Sequence, residues 1–244
     1  MKPARYYDMH IHLHEFEDPE EALEANDTVL VAVSDDLESL TATVELAKSF
    51  GNVIACAGYH PWNFRGGGSL QEAYEVARAF YRLDLECIGE VGLDKKFVPA
   101  ETWNAQVEVF KTFAGLARET DSYMTIHSPN AWRDALKIIV DLGVARAMFH
   151  WYTGPLDLIP VIAGNGYYIS INPAVRIQEK HRRVAFQAPL EAMVFESDGP
   201  YNYRGLRLTP RMIPGSIKLV AELKGVPIGK VEEVARLNSQ RLLF

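Results

Sequence analysis

The sequence predicts an α/β protein folded as a (β/α)8 barrel of the TIM type, and three observations carry that expectation. Apolar, strand-like runs alternate with longer amphipathic segments along all 244 residues. Eight such runs can be counted, the number that a barrel needs. The histidines and acids cluster where those runs end, which is where barrel enzymes place their chemistry. A doubly wound open sheet is the competing arrangement, but no glycine-rich phosphate loop follows the first strand.

In chain order, the strand candidates are Tyr6–Met9, Thr28–Val33, Val53–Gly58, Leu85–Gly89, Tyr123–Ile126, Ala145–Phe149, Tyr167–Ile171 and Ala192–Phe195. Several are near-continuous Val, Ile, Ala and Cys, as expected of strands covered on both faces. Between them lie helical stripes. Asp35–Phe50 has apolar positions at Leu37, Leu40, Val44 and Ala47, and Glu101–Glu119 has them at Trp103, Val107, Phe110, Ala114 and Ala117. Ala131–Leu142, Leu156–Ala163, Arg211–Lys224 and Gly229–Leu237 follow the same pattern. Gly51, Gly143, Gly164 and Gly225 stand where helices should stop. Strict alternation of strand and helix implies a parallel sheet with right-handed crossovers. No linker, repeat or low-complexity segment interrupts it, so residues 1–244 read as one domain. Gly66–Gly68 and Ser69 read as a loop before a helix.

Composition narrows the function. With 48% hydrophobic and 23% charged residues, the chain can bury a large core. No apolar run reaches the ~18 residues of a membrane span, and the N-terminus lacks the apolar region of a secretory signal. Cys56 and Cys87 both sit in apolar runs and read as buried free thiols in a reducing, cytoplasmic compartment. A net charge of −7 argues against coating long duplex nucleic acid, yet allows a local basic patch to grip a short phosphorylated end. No obligate protein partner is indicated.

The chemistry starts at DMHIH, Asp8 to His12. On a strand, Asp8, His10 and His12 share one face and Met9 and Ile11 the other. His60 follows the third strand, Glu90 ends the fourth, His127 the fifth and His150 the sixth, and Asp198 follows the eighth. Each alone has an ordinary reading as a hydrogen-bonded loop residue, a cap or an Asx-turn. Together at one barrel end they point to a metal centre. Four imidazoles and two carboxylates are more than one ion needs. Two divalent ions ~3.5–4 Å apart would use them all. One ion takes His10, His12 and Asp198, the other His127 and His150, with Glu90 as the bridge. Asp198 can accept or direct the proton of a water held between them. Imidazole-rich ligation suits zinc or manganese, while magnesium prefers oxygen.

The motifs resemble those of the TatD family of metal-dependent deoxyribonucleases, within the amidohydrolase-like barrels. DMHIHL resembles the family's D-x-H-x-H-L, GYHPW its G-x-H-P, and IGEVGLD its G-E-I-G-L-D. IHS is similar to its H-x-R region, FHWYTG to F-H-x-F-x-G, ESDGPY to T-D-x-P-Y, and LNSQRLLF to the N-x-x-R-x-F close. The resemblance covers nearly the whole chain. It implies ligand roles for His10, His12, Glu90, His127, His150 and Asp198, and a substrate-phosphate role for His60. It also implies magnesium- or manganese-dependent hydrolysis of DNA phosphodiesters, often as a 3′-to-5′ exonuclease acting on DNA or oligonucleotide ends. Pro129 stands where the family has Arg, Ser197 where it has Thr, and Lys95 and Lys96 where it has aromatic residues, so substrate contacts depart from the pattern while the ligand set is intact.

The lost Arg directs attention to NYRGLRLTPR after the eighth strand. Arg204, Arg207 and Arg211 lie there in a segment that Gly205 and Pro210 mark as loop. Guanidinium forks match phosphate oxygens bidentately, so this loop, extended by Lys95, is a candidate phosphate clamp. Pairing of these cations with nearby carboxylates is the competing reading. Two other functions stay open: an amidohydrolase-like enzyme on a small ester, lactone or amide, and a non-catalytic metal-binding protein. A full ligand set with an added carboxylate speaks against the second, which needs no open coordination site.

Overall fold

Eight strands lie side by side in chain order, and every neighbouring pair runs parallel. This is the (β/α)8 barrel that the sequence predicts, seen in a computed structural model that describes residues 4–23 and 27–244. The chain runs β1 (Tyr6–Ile11), α1 (Pro19–Leu23), β2 (Thr28–Ala32), α2 (Leu37–Ser49), β3 (Val53–Ala57), α3 (Leu70–Arg82) and β4 (Cys87–Gly92). It continues through α4 (Trp103–Thr120), β5 (Tyr123–His127), α5 (Trp132–Leu142), β6 (Ala147–Phe149), α6 (Ile159–Gly164), β7 (Tyr168–Ile171), α7 (Glu179–Gln187) and β8 (Met193–Phe195). A hairpin, β9 (Asn202–Tyr203) and β10 (Leu206–Arg207), precedes α8 (Ile213–Lys224) and α9 (Ile228–Leu243).

Period-two alternation sorts the strand residues into two layers. Tyr7, Met9, Val31, Cys56, Cys87, Tyr123, Met148 and Val194 form one buried cluster, drawn from seven strands and joined by Leu242 and Leu243 of α9. This is the barrel interior. Ala55, Ile88, Met124, Phe149 and Ile169 instead pack in a cluster with Phe80, Phe110 and Phe113 of the helices, and Leu30 packs with Ile11, Leu13 and Phe16. Local signals set the helix ends. Asp36 and Ser69 make capping boxes at the starts of α2 and α3, and Gly143 and Gly225 take left-handed conformations just past α5 and α8. Gly164 is instead the last residue of α6.

The sheet closes between β1 and β8 by contacts that belong to the first and last motifs. The Asp198 N–H donates to the His10 carbonyl at 3.0 Å, and the His12 N–H to the Gly199 carbonyl at 2.9 Å. The Ser197 N–H donates to Asp8 Oδ1 at 2.7 Å. Asp8 is therefore spent on the seam. Its expected shared face with His10 and His12 does not hold, because the β1–β2 register shifts between Asp8 and Ile11. Met9 consequently joins the interior cluster while Ile11 packs under the helices.

Three further expectations change. Glu90 lies within β4 rather than at its end, at a register shift between Ile88 and Val91. The segment after β8 is not an irregular loop throughout. Arg204 (φ 53°) and Gly205 (φ 85°) form the two-residue turn of the β9–β10 hairpin, which requires positive φ at both positions. Alternation also ends at β8, since α8 and α9 follow one another.

Cys56 and Cys87 are not free thiols. They are register partners on β3 and β4, with Cα atoms 4.4 Å apart, and are joined as a disulfide. Thirty-one positions separate them in sequence, so only the sheet register reveals the pairing. The argument for a reducing compartment falls with the free thiols. No helix among the described residues is long and apolar enough to cross a membrane. Unfolded without reductant, the protein is expected to show no titratable thiol, and after reduction two. Reduction should lower the unfolding free energy by about 2–4 kcal/mol. Two titratable thiols before reduction would contradict the bridge.

Candidate metal centre

All seven residues singled out around the strand ends meet at one end of the barrel. His10 is the penultimate residue of β1, and His12 follows the strand. His127 closes β5, His150 follows β6, and His60 and Asp198 lie three residues past β3 and β8. Glu90 reaches the middle because β4 approaches its neighbours without side chains in the way. A Cβ on Gly89 would overlap the Thr125 side chain, and one on Gly58 would overlap the Glu90 backbone.

The two carboxylate oxygens of Glu90 divide the cluster. Glu90 Oε2 lies 3.3 Å from both His10 Nε2 and His12 Nε2. Those two nitrogens are 3.3 Å from each other, and Asp198 Oδ1 lies 3.6 Å and 3.7 Å from them. Glu90 Oε1 faces the other side, 2.9 Å from His127 Nδ1, 3.5 Å from His60 Nε2 and 3.9 Å from His150 Nε2. His150 Nε2 is also 3.8 Å from Asp198 Oδ1. Donors at ~2.0–2.1 Å around a tetrahedral ion stand about 3.4 Å apart. The His10, His12 and Asp198 atoms stand 3.3–3.7 Å apart, close to that spacing, so these three residues fit a divalent cation, with Glu90 Oε2 3.3 Å from both nitrogens. His60, Glu90 and His127 make a second candidate group on the other carboxylate oxygen.

The remote nitrogen of each ring decides what its near nitrogen can do. A neutral imidazole has one N–H donor and one lone pair. His12 Nδ1 lies 3.2 Å from Asp35 Oδ2, and His127 Nε2 lies 2.9 Å from Asp94 Oδ2. His150 Nδ1 is 3.0 Å from Glu196 Oε1, and His10 Nδ1 is 2.8 Å from Thr125 Oγ1. Asp35, Asp94 and Thr125 can accept the ring's hydrogen bond, which leaves a lone pair aimed at the centre, while Glu196 meets His150 at ion-pair distance without hydrogen-bond geometry. His60 is the exception. Its Nδ1 accepts the Trp62 N–H at 3.1 Å, so its proton sits on Nε2 and points at Glu90. His60 is thus oriented as a donor, while the other rings could offer a lone pair to a cation.

Asp35, Asp94, Glu196 and Thr125 are residues that the sequence reading missed. Three of them carried a usable signal: acids just past β2, β4 and β8. Asp94 and Glu196 even lie inside the motifs GLD and ESD.

The electrostatics are those of a site short of positive charge. Burial opposes the charge on Glu90, but His60, His10 and His150 around it hold its carboxyl well below the ordinary range. Burial pushes Asp198 up to about 7, only partly offset by His150 and His12. Burial lowers His10 to about 4, with His150 adding to the effect. Burial works against charge on His150 too, yet Glu196, Asp198 and Glu90 raise it to about 10. Imidazoles flank Glu90, Asp198 and Glu196, and a bound cation would compensate these buried carboxylates better.

The basic residues expected at the mouth have partners on the surface of the protein. Arg207 pairs with Glu21 at 2.9 Å and Lys95 with Asp134 at 2.6 Å, both on the surface. The Arg204 guanidinium lies 5.3 Å over the Tyr203 ring, and Arg211 is on the short helical turn before α8. Aromatic side chains stand nearer the cluster. Trp62 lies against His60 and Trp151 against His150, and Tyr201 and Tyr203 pack on Trp151.

Comparison with known proteins agrees with this geometry. Residues 7–244 match the family model described as TatD related DNase. A Methanocaldococcus jannaschii protein described as an uncharacterized metal-dependent hydrolase is 27% identical over 98% of this chain and 97% of its own length. The Homo sapiens protein named deoxyribonuclease TATDN3 is 27% identical over 91% of this chain and 86% of its own. The crystal structure of YjjV, a TatD homologue from Escherichia coli K12, has the same fold, with a TM-score of 0.87 at 20% identity over 98% of both chains. With a family match that spans the barrel from β1 to the C-terminal residue, the chain belongs to the TatD-related DNase family of metal-dependent hydrolases.

Proposed function

We propose that this protein is a deoxyribonuclease that hydrolyses phosphodiester bonds at DNA ends, in the 3′-to-5′ direction, with two divalent cations held around Glu90. The observation that carries the reading is the division of the Glu90 carboxylate. One oxygen serves His10 and His12, the other His127 and His150. Asp198 completes the first group. Magnesium or manganese fits the family resemblance, and the imidazole-rich set also admits zinc. When bound, such ions lower the pKa of a water and offset charge on phosphate oxygens.

The protein's own groups supply the rest. Asp198, beside His10 and His12, takes the proton of the attacking water. The water oxygen bonds to phosphorus and the bond to the leaving oxygen breaks; the leaving oxygen takes a proton from solvent, and Asp198 returns its own to solvent. His60 Nε2–H donates to a phosphate oxygen, where it stabilises charge as an oxyanion donor does. The deoxyribonuclease name of the human relative and the family motifs support DNA over a small amide or lactone.

Three outcomes test this. A chelator should abolish cleavage of oligonucleotides and of synthetic phosphodiesters, and added magnesium or manganese should restore it. Full activity in protein shown to be metal-free would end the proposal, and amide cleavage without phosphodiester cleavage would redirect it. Asp198→Asn should keep the fold and lose about 100- to 10,000-fold in kcat; a variant within a few-fold of wild type removes Asp198 from the reaction. His60→Ala should retain its metal and lose about 100- to 1,000-fold in kcat. If metal analysis instead shows an equivalent lost, His60 is a ligand.

A further inference from the structure

His12 differs from the other three ligand-type rings in how it is held. His10 and His127 lie within strands, and His12 and His150 each directly follow one. His12 alone caps a short helical turn, Leu13–Glu15, with backbone angles φ −86° and ψ 69°. It also has the most exposed side chain of the four, at 14%. Its orientation therefore depends on what grips its remote nitrogen.

That grip is Asp35. Its Oδ2 lies 3.2 Å from His12 Nδ1, from which it can accept a hydrogen bond, and 3.4 Å from His14 Nε2, within ion-pair reach. The backbone of Asp35 is itself fixed from three sides. Its N–H donates to Ser39 Oγ at 2.8 Å, and its carbonyl accepts from the His60 N–H at 2.8 Å and the Asn63 amide at 2.5 Å. Asp35 is thus a rigid acceptor tied to the α2 cap on one side and to the His60 loop on the other. His14 offers no contact to Glu90 or Asp198 among the described residues; its near nitrogen is turned to Asp35.

From this geometry we infer that Asp35 is a positioning residue for His12, fixing its proton on Nδ1 and its lone pair on Nε2, and that the His14 imidazole beside it helps keep the Asp35 carboxylate in place. The consequence is selective. Asp35 supports the half of the centre made by His10, His12 and Asp198 and has no contact with His127 or His150, which rely on Asp94 and Glu196. Outer partners of metal-binding histidines are worth about 10- to 100-fold in affinity. The inference rests on the two-cation reading for its metal consequences, but not for its tautomer.

The test uses the full chain in two forms. In metal-free protein, at a pH high enough for the His12 ring to be neutral, imidazole 15N shifts should report the Nδ1–H tautomer at His12 in wild type. Asp35→Ala should move it toward Nε2–H, and Asp35→Glu should restore the wild-type pattern at least in part. In protein loaded with manganese, competition with a chelator should show one of two bound equivalents weakened about 10- to 100-fold in Asp35→Ala, with the other unchanged. His14→Ala should weaken the same equivalent by a few-fold only. An unchanged His12 tautomer in Asp35→Ala overturns the inference. So does equal weakening of both equivalents, which a general structural role would give. A third equivalent in wild type, lost in His14→Ala, would make the cluster a cation site of its own and also overturn it. Wild type that binds no manganese would remove the proposed function while leaving the tautomer result to stand or fall alone.

Discussion

A carboxylate buried at the mouth of a barrel must be surrounded by positive charge or neutralised, and Glu90 is surrounded by five imidazoles. Much of the neighbouring structure follows from that constraint. Imidazoles can face a carboxylate only if their proton positions are dictated, so a second set of acceptors stands behind them. Thr125, Asp35, Asp94 and Glu196 each take one ring. The result is a two-layer arrangement in which the outer acids choose tautomers and the inner nitrogens present lone pairs. His60 breaks the pattern because a backbone N–H, not an acid, meets its remote nitrogen.

The barrel is shaped to hold this arrangement. Parallel strands bring their C-terminal ends to one side, and the seam between β1 and β8 is closed by the residues that flank the site. Asp8 fastens the seam from below while His10 and Asp198 pass their backbone hydrogen bond across it. Gly89 and Gly58 let β4 come close enough for Glu90 to reach the centre. Fold closure and site assembly are therefore one event: loosening the seam would displace His10, His12 and Asp198 together.

The barrel was legible in the sequence because its strands are covered on both faces and read as apolar runs. The inner ring was legible because histidines and acids at strand ends have few reasons to gather. What stayed hidden depends on register or on long-range partners. The Cys56–Cys87 bridge needs the β3–β4 alignment, and the misplaced face of Asp8 needs the shift in β1. The role of Thr125 rests on a contact 115 positions away, and that of Asp35 on one 23 positions away. The proton position of His60 was hidden too, because it depends on the Trp62 N–H that meets its Nδ1. The basic loop shows the reverse case, since its Arg207 is paired with Glu21, a residue that no local pattern connects to it.

The division of Glu90 between two groups of nitrogens is most directly examined by anomalous diffraction from crystals grown with manganese. Two peaks flanking the Glu90 carboxylate are predicted, one beside His10, His12 and Asp198 and the other beside His127 and His150. A single peak away from Glu90, or none at saturating manganese, would contradict the shared-carboxylate centre.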